Sequence, residues 1–498
     1  MSFWKNSPRR RDRRKSTSVI LPSAHVETLE DRTLLSAISI GNSDVPVGGN
    51  LTLSGLIVVG GAETGLDVNI DGADLATLTI SNATLTDNTG NGMVIRLSNM
   101  NVDSLVINSA VITRNTDTAI EIVLDNVTLG NLSIIGATIA TNNGDGISVT
   151  ATNSHILAGT FSTNAITGNQ GDGVRFSLNG STMTGVSLEN NTRINANNGN
   201  GLFVELTNST ATGLRVQNNP EINLNGVSGI RLAATNSTYA NLVIAGNTVQ
   251  GSLIGHGITF VGQQSSASGS ITANTISGNA GGGISFDNWT GVTTQTLDFG
   301  NLSESRAITG NQLTGNQGAG ISLVLGSHMS FFGQLAGNTI NGNKLGLAVT
   351  ATGDAQFDIE LGNKLLPLPA NTFDQNASAG IVLDMTDQTI GHFVVGETTI
   401  SNTTAGTNAK YNGDGLLIEL KKNAQLATAV IDSNSLFQDN ADAGFDLKII
   451  ELSQIAGLAV RNTRLDGNGT GFRINRTDEA VIDLTLENSE LVGNHGNG

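Results

Sequence analysis

Few residues of this 498-residue chain have types and spacing suited to bond-breaking chemistry, and those few lie where a sequence repeat is interrupted. Asp298, Glu304 and Arg306 place two carboxylates and a guanidinium within one short stretch. Such a set can protonate a leaving oxygen, activate water or abstract a proton, which are the acid–base steps that cleave a polysaccharide. Trp289, Arg306, Lys364, Lys410 and Tyr411 lie in or beside the same interruptions and offer stacking and positive charge to a ligand. Asp145 and Asp172 stand 27 residues apart at the same place in successive repeats. Stacked carboxylates repel, and a bound Ca²⁺ would relieve that, so this corner is the candidate cation site. The sequence calls for no other cofactor: it has no Cys, no His pair at metal spacing, no phosphate loop and no nucleophile elbow.

The repeat that positions these residues is a glycine followed by a short apolar alternation, at intervals close to 27 residues. The marks are Gly65, Gly92, Ala119 as a stand-in, Gly146, Gly173, Gly201, Gly229, Gly257 and Gly283, then Gly320, Gly346, Gly380, Gly415, Gly444, Gly471 and Gly498. A period of this size means stacked supersecondary units. Within Gly201–Ser228 three alternating runs, Leu202–Leu206, Gly213–Gln217 and Glu221–Leu224, are separated by Asn, Thr and Gly. Period-2 alternation bounded by turn residues is the strand signal, and no sustained 3.6-residue period competes with it. The reading is therefore all-β, with a three-sided solenoid of about fifteen rungs over residues 38–498, each strand pairing in parallel with its copy one rung on. In Ile147-Ser148-Val149 and Ile230-Arg231-Leu232 the outer two residues are apolar and face inward, so stacked columns form the core.

A second column is polar. Asn142, Asn169, Asn197 and Asn225 each precede their glycine mark by four residues, as Asn88, Asn115, Asn279, Asn316, Asn376, Asn440 and Asn494 also do. An amide both donates and accepts, and Asn tolerates left-handed backbone angles, so these predict a structural amide ladder at a turn. The glycine then provides positive φ or tight clearance.

The pattern N-x-x-[IL]-x-x-N-x-x-x-G followed by alternation, as in Asn164–Val174 and Asn274–Ile284, resembles the right-handed parallel β-helix repeat of the pectate-lyase-like family. The resemblance runs from about residue 38 to the end and implies a right-handed coil. It leaves activity open, because the family holds lyases, hydrolases, epimerases and non-catalytic adhesins. Gly255-His256-Gly257 is similar to the Gly-His-Gly of polygalacturonase-type members, but no Asp-Asp dipeptide accompanies it and Asn115-Thr116-Asp117 lies five rungs away. His256 fills the place taken elsewhere by Asp145, Asp172 or Asn200, and reads as a turn variant.

Charge divides the chain. Residues 1–36 hold eight Lys/Arg and four Asp/Glu, which leaves the remainder at −21 of a total of −17. So acidic a body disfavours nucleic acid and anionic membrane surfaces, and no apolar stretch reaches the length of a transmembrane span. Residues 1–37 read as a separate basic leader. There Leu29-Glu30-Asp31-Arg32-Thr33-Leu34-Leu35 resembles the LEPR-XLL motif of exported planctomycete-type bacterial proteins, with Asp31 in place of the proline. That resemblance implies a sorting or export role and a secreted or cell-surface product. Asn494–Gly498 opens a further rung, which predicts that the chain is part of a longer protein or that this end pairs with a partner or another copy.

Three intervals exceed the period: 37 residues from Gly283, 34 from Gly346 and 35 from Gly380. The extra residues fall at Gly300–Ile308, Gly362–Ala370 and Thr403–Tyr411, the first two between strands two and three and the last after strand three. Insertions in a solenoid are where recognition collects, so these loops form the expected binding patch. The sequence thus predicts a non-catalytic structural or adhesive protein contacting glycan or extracellular matrix. The alternative is a polysaccharide lyase or glycoside hydrolase working in a groove beside the loops, through Asp298, Glu304 and Arg306.

Overall fold

The computed structural model describes residues 37–46, 49–293, 295–300, 306–362, 369–406, 410–477 and 479–496. Alternation produces an all-β parallel solenoid of about 16 turns, and the helical content of the described residues is the single 3₁₀ turn Asn42–Asp44. The column behind the glycine marks runs Ile38, Leu66, Met93, Ile120, Ile147, Val174 and Leu202 in unbroken parallel register, and reaches Phe445 and Phe472 at the far end. The additional turn precedes the first mark, where Ala37 fills the glycine position and Ile38–Ile40 pairs with Leu66–Val68. At about 4.8 Å per turn the stack is roughly 75 Å long.

Each turn repeats one itinerary, seen in the turn after Gly146. A first strand, Ile147–Thr152, is followed by a second, split into His155–Ile156 and Gly159–Ser162, and a third, Ala165–Thr167. First and second strands join one 34-stranded sheet; third strands form a six-stranded and then a ten-stranded sheet. Inward residues such as Ile147, Val149, Phe161 and Ile166 are 0–1% exposed, and each such side chain contributes about 1.5–3 kcal/mol by leaving water.

Three corners turn the chain, and all use one device: a residue with positive φ, then a small polar residue aimed inward. At the third corner the pairs are Thr141-Asn142, Gly168-Asn169, Ala196-Asn197 and Leu224-Asn225. The ladder Asn is therefore not itself left-handed; its predecessor is, with φ 56° at Thr141 and 54° at Leu224. The mark glycines, in turn, serve clearance rather than positive φ. A Cβ on Gly146 would lie 2.5 Å from the Gly173 carbonyl oxygen and 2.6 Å from an Ile166 methyl.

The amide ladder forms as expected. Asn142 Nδ2 donates to Asn169 Oδ1 at 2.9 Å, that oxygen also accepts the Asn142 backbone N–H at 3.1 Å, and Asn169 and Asn197 repeat the arrangement. A second ladder, unforeseen, lines the second corner through Asn164, Asn191, Asn219, Asn247, Asn274, Asn311, Asn338 and Asn371. Serines 154, 181, 209, 237 and 265 form a third at the first corner, each Oγ accepting the N–H of its counterpart one turn back. Buried amides and hydroxyls left unpaired would each cost about 1–3 kcal/mol, so the ladders are what allow polar corners to close on an apolar core.

Ser252 interrupts the third-corner ladder between Asn225 and Asn279, and its buried Oγ has no partner. We expect Ser252→Asn to restore the amide chain and raise the melting temperature, with a gain of about 1 kcal/mol per hydrogen bond regained. Asn279→Ala, which strips the acceptor of the Ser252 N–H, should lower stability by about 1–3 kcal/mol. Thermal unfolding of the two variants reads both effects, and equal melting temperatures would remove the ladder as a source of stability.

Candidate functional site

The first insertion lies inside the second strand rather than after it. Gln295–Phe299 pairs with Met329–Gly333 and Ile308–Thr309 pairs with Leu335–Ala336, so the insertion falls between the two halves of that strand; residues 301–305 lie outside the described residues. Arg306 returns from this excursion to pair with Asp298, both side chains partly exposed at 30% and 25%. Asp298 faces outward beside Ser268 and Phe332, and its Oδ1 also accepts the Gly300 N–H. Of the proposed catalytic set, Asp298 and Arg306 are thus brought together, while Glu304 lies outside the described residues.

Trp289 does not belong to a surface patch. It is 1% exposed, donates its indole N–H to the Phe260 carbonyl at 3.2 Å, and fills space that Gly262 leaves open. A Cβ on Gly262 would fall 2.3 Å from the ring. The cause is a register shift between Phe286 and Trp289, which reverses the alternation and turns the ring inward.

The second insertion leaves at the second corner, after Leu361 and before Asn371; Lys364 lies outside the described residues. The third follows Thr403 and returns onto the outer face of the first strands. There Tyr411 packs against Ala379, Val382 and Leu417, and Lys410 Nζ donates to Asp384 Oδ2 at 2.5 Å and sits 3.2 Å from Glu419. Burial opposes the Lys410 charge, but the Asp384 carboxylate outweighs it and holds the amine protonated far above its ordinary range. Among the described residues the first and third insertions thus lie on different faces: Asp298–Arg306 on the second-strand face, and Lys410 and Tyr411 on the first.

Asp145 and Asp172 stack as expected, but their oxygens are engaged. Asp145 Oδ1 accepts the Asp172 N–H at 2.6 Å, and Asp172 Oδ1 accepts both the backbone and side-chain N–H of Asn200 at 2.6 and 2.8 Å. Arg175 lies 3.4 Å from Asp172. Burial, with Asp172 and Asp117 nearby, pushes the Asp145 carboxyl up against these hydrogen bonds. Among the described residues no group of His, Cys, Asp and Glu is arranged to hold a metal ion. His256 continues this corner, its Nδ1 accepting the Gly282 N–H at 2.6 Å, and burial depresses its pKa below 6.5 despite Asp287.

The densest ionic cluster was not foreseen. Arg473 grips Asp446 through Nε and Nη2 at 3.0 and 2.8 Å, and Asp442 through Nη1 and Nη2 at 2.8 and 2.9 Å, while Nη2 also reaches Asp414 at 3.3 Å. Asp414 and Asp446 are buried side chains at 1% and 0% exposure. Burial, then Asp446 and Asp442, push the Asp414 carboxyl up to about 6. Three carboxylates around an arginine is the composition an acid–base site needs, yet two of them are closed to solvent and the guanidinium is fully occupied.

Two concave stretches lie along the first corner. A groove of about 350 Å³ is lined by Asn99, Asn101, Asn126, Thr128, Asn153 and His155 above buried Met100 and Val127. Asn126 Nδ2 donates to Asn99 Oδ1 at 3.0 Å, and His155 Nδ1 meets Thr182 Oγ1 at 2.8 Å. Farther along, from Ser327 onward, the corner widens by a turn and opens a groove of about 380 Å³ between Ser327, His328, Asp354, Asp387, Gln388 and Lys422. Lys422 Nζ donates to Asp387 Oδ1 at 2.6 Å, and that bond keeps the exposed carboxyl below its ordinary range. Among the described residues no helix is long and apolar enough to cross a membrane.

No protein-family profile matches the chain, and no curated protein matches it. Among solved structures it is similar to the tailspike protein of E. coli bacteriophage HK620, determined as a double mutant in complex with a pentasaccharide. The identity is 11% over 90% of this chain and 72% of that one, with a TM-score of 0.19, at which the two chains do not superpose as wholes.

Two buried groups give the fold opposite pH signatures. His256 must stay neutral to accept its hydrogen bond, so its contribution is complete above pH 6.5 and is lost as pH falls through its depressed folded value. Asp414, raised above 3.8, contributes most below that pH and loses its contribution as pH rises through about 6. We expect His256→Asn to flatten the acid side of a stability–pH curve, because Asn200 already accepts the same bond without titrating. Asp414→Asn should raise stability at pH 7 and leave pH 4 nearly unchanged, as read by denaturant unfolding at both pH values; no change at pH 7 would refute the assignment.

Proposed function

We propose that this protein is a secreted or cell-surface β-solenoid with a structural or adhesive role, which binds glycan along the groove of its first corner and does not cleave it. The observation that carries the reading is the lining of that groove by Asn99, Asn101, Asn126, Asn153, Thr128 and His155. Side-chain amides both donate and accept, and a row of them one turn apart complements the hydroxyls of an extended neutral sugar chain. Catalysis would need a carboxylate open to substrate. The groups best placed by composition are instead engaged within the scaffold: Asp298 with Arg306, and Asp414 and Asp446 beneath Arg473. Export is supported by the leader's similarity to LEPR-XLL and by an acidic body without Cys; the leader itself lies outside the described residues.

The test is to present the full chain to a panel of neutral and acidic polysaccharides, with Ca²⁺ and with chelator. Affinity electrophoresis reads binding; new reducing ends and unsaturated uronates read cleavage. We expect binding of at least one neutral glycan that Asn126→Ala with Asn153→Ala weakens about tenfold or more, the loss of one or two hydrogen bonds. Binding should be equal in Ca²⁺ and chelator, since Asp145 and Asp172 are occupied by amides. Cleavage that Asp298→Asn abolishes would overturn this reading in favour of a lyase or hydrolase beside the first insertion.

A further inference from the structure

On the outer face of the first strands, Arg175, Phe203 and Arg231 stand in one column on three successive turns. The two guanidiniums flank the ring from opposite sides, with their carbons 4.7 and 5.4 Å from its centroid. Stacking on an aromatic fixes the plane of a guanidinium. The two arginines differ in what they meet. Arg175 Nη2 donates to Glu205 at 2.8 Å and Nη1 lies 3.4 Å from Asp172, so it is neutralised locally. Arg231 forms no ion pair among the described residues, and its Nε is buried without a hydrogen-bond partner. A buried donor left unpaired costs about 1–3 kcal/mol, and here it belongs to a permanent cation within a body of charge −21.

The neighbours do not supply the missing acceptor. Ser228 and Thr259, on the adjoining turns, hydrogen-bond to each other at 3.2 Å through their hydroxyls. Glu205, the nearby carboxylate, is held by Arg175. Nε is closed to solvent, so a ligand meets the two Nη groups of Arg231, whose parallel N–H bonds match two oxygens of one planar or tetrahedral oxyanion.

We propose that the Arg175–Phe203–Arg231 column is a binding site for an oxyanion group, a carboxylate or a sulfate ester, displayed on an acidic glycan, with Arg231 as the fork that receives it. Phe203 is a positioning residue that holds the fork in plane. The site lies on the first-strand face, apart from the first-corner groove, and takes a charged rather than a neutral ligand, so the two stand or fall separately.

The experiment measures binding of the full chain to dextran sulfate, to polygalacturonate oligomers, to neutral dextran and to polyglutamate, at two salt concentrations. We expect dextran sulfate, polygalacturonate or both to bind in a salt-sensitive way, and Arg231→Gln to weaken that binding about tenfold to a hundredfold. Arg231→Lys, which keeps the charge but lacks the fork, should recover only part of it, and Phe203→Leu should weaken it with both arginines intact. The melting temperature of each variant confirms that the solenoid is folded, and the Asn126/Asn153 pair of substitutions should leave polyanion binding unchanged. Binding to sulfate alone or to carboxylate alone names the source of the oxyanion. Equal binding by wild type and Arg231→Gln, or polyglutamate binding as tightly through Arg231, would overturn the proposal.

Discussion

Every turn of this molecule bends its backbone at three corners inside a parallel stack, and a bend pulls N–H and C=O groups out of the sheet ladder. The corners are closed by a short side chain that reaches into the core and takes the orphaned N–H of the turn behind. The left-handed residue before it supplies the angle; the Asn, Ser or Thr supplies the acceptor. The same side chain donates as well as accepts: Asn164 Nδ2 donates to the Ile134 carbonyl one turn back at 2.8 Å, and Ser181 Oγ to the Ala151 carbonyl at 3.0 Å. Without these bonds the apolar columns could not be sealed, and core, sheets and surface all follow from them.

Much of this was legible in the chain and some was not, for identifiable reasons. The turns were readable because a period of two within strands and of about 27 between them leaves inward residues in one phase. The third-corner ladder was readable because each Asn precedes a conspicuous glycine. The second ladder was equally periodic, yet Asn also occupies the left-handed position before it, as in Asn190-Asn191 and Asn218-Asn219. Spacing alone does not say which amide of such a pair points inward. Trp289 was misplaced because a bulge shifts the alternation by one residue, and a bulge leaves no fixed mark in sequence. The Arg473 cluster was invisible for another reason: its carboxylates come from positions 27, 31 and 59 residues away and meet only once turns are stacked.

Stacking also decides where charge can work. An acidic chain placed in a short repeat must put carboxylates one above another, and each such pair needs neutralising partners. Three local solutions appear: a backbone amide, as beneath Asp145; a bidentate arginine, as at Arg473; and a lysine from a returning loop, as Lys410 over Asp384 and Glu419. Each solution ties its carboxylates into the scaffold. Outward rows of neutral amides, by contrast, keep hydrogen-bonding capacity open to other molecules.

The break at Ser252 has a mechanical meaning. Load along the axis is shared at each corner between backbone hydrogen bonds and the side-chain ladder, and at Ser252 the third corner keeps of that ladder only the Ser252 N–H bond to Asn279 Oδ1. The break is confined to one corner, since the second-corner ladder runs on through Asn219, Asn247 and Asn274 beside it. Tension or twist along the axis is therefore borne at that turn by one ladder fewer than in the turns on either side.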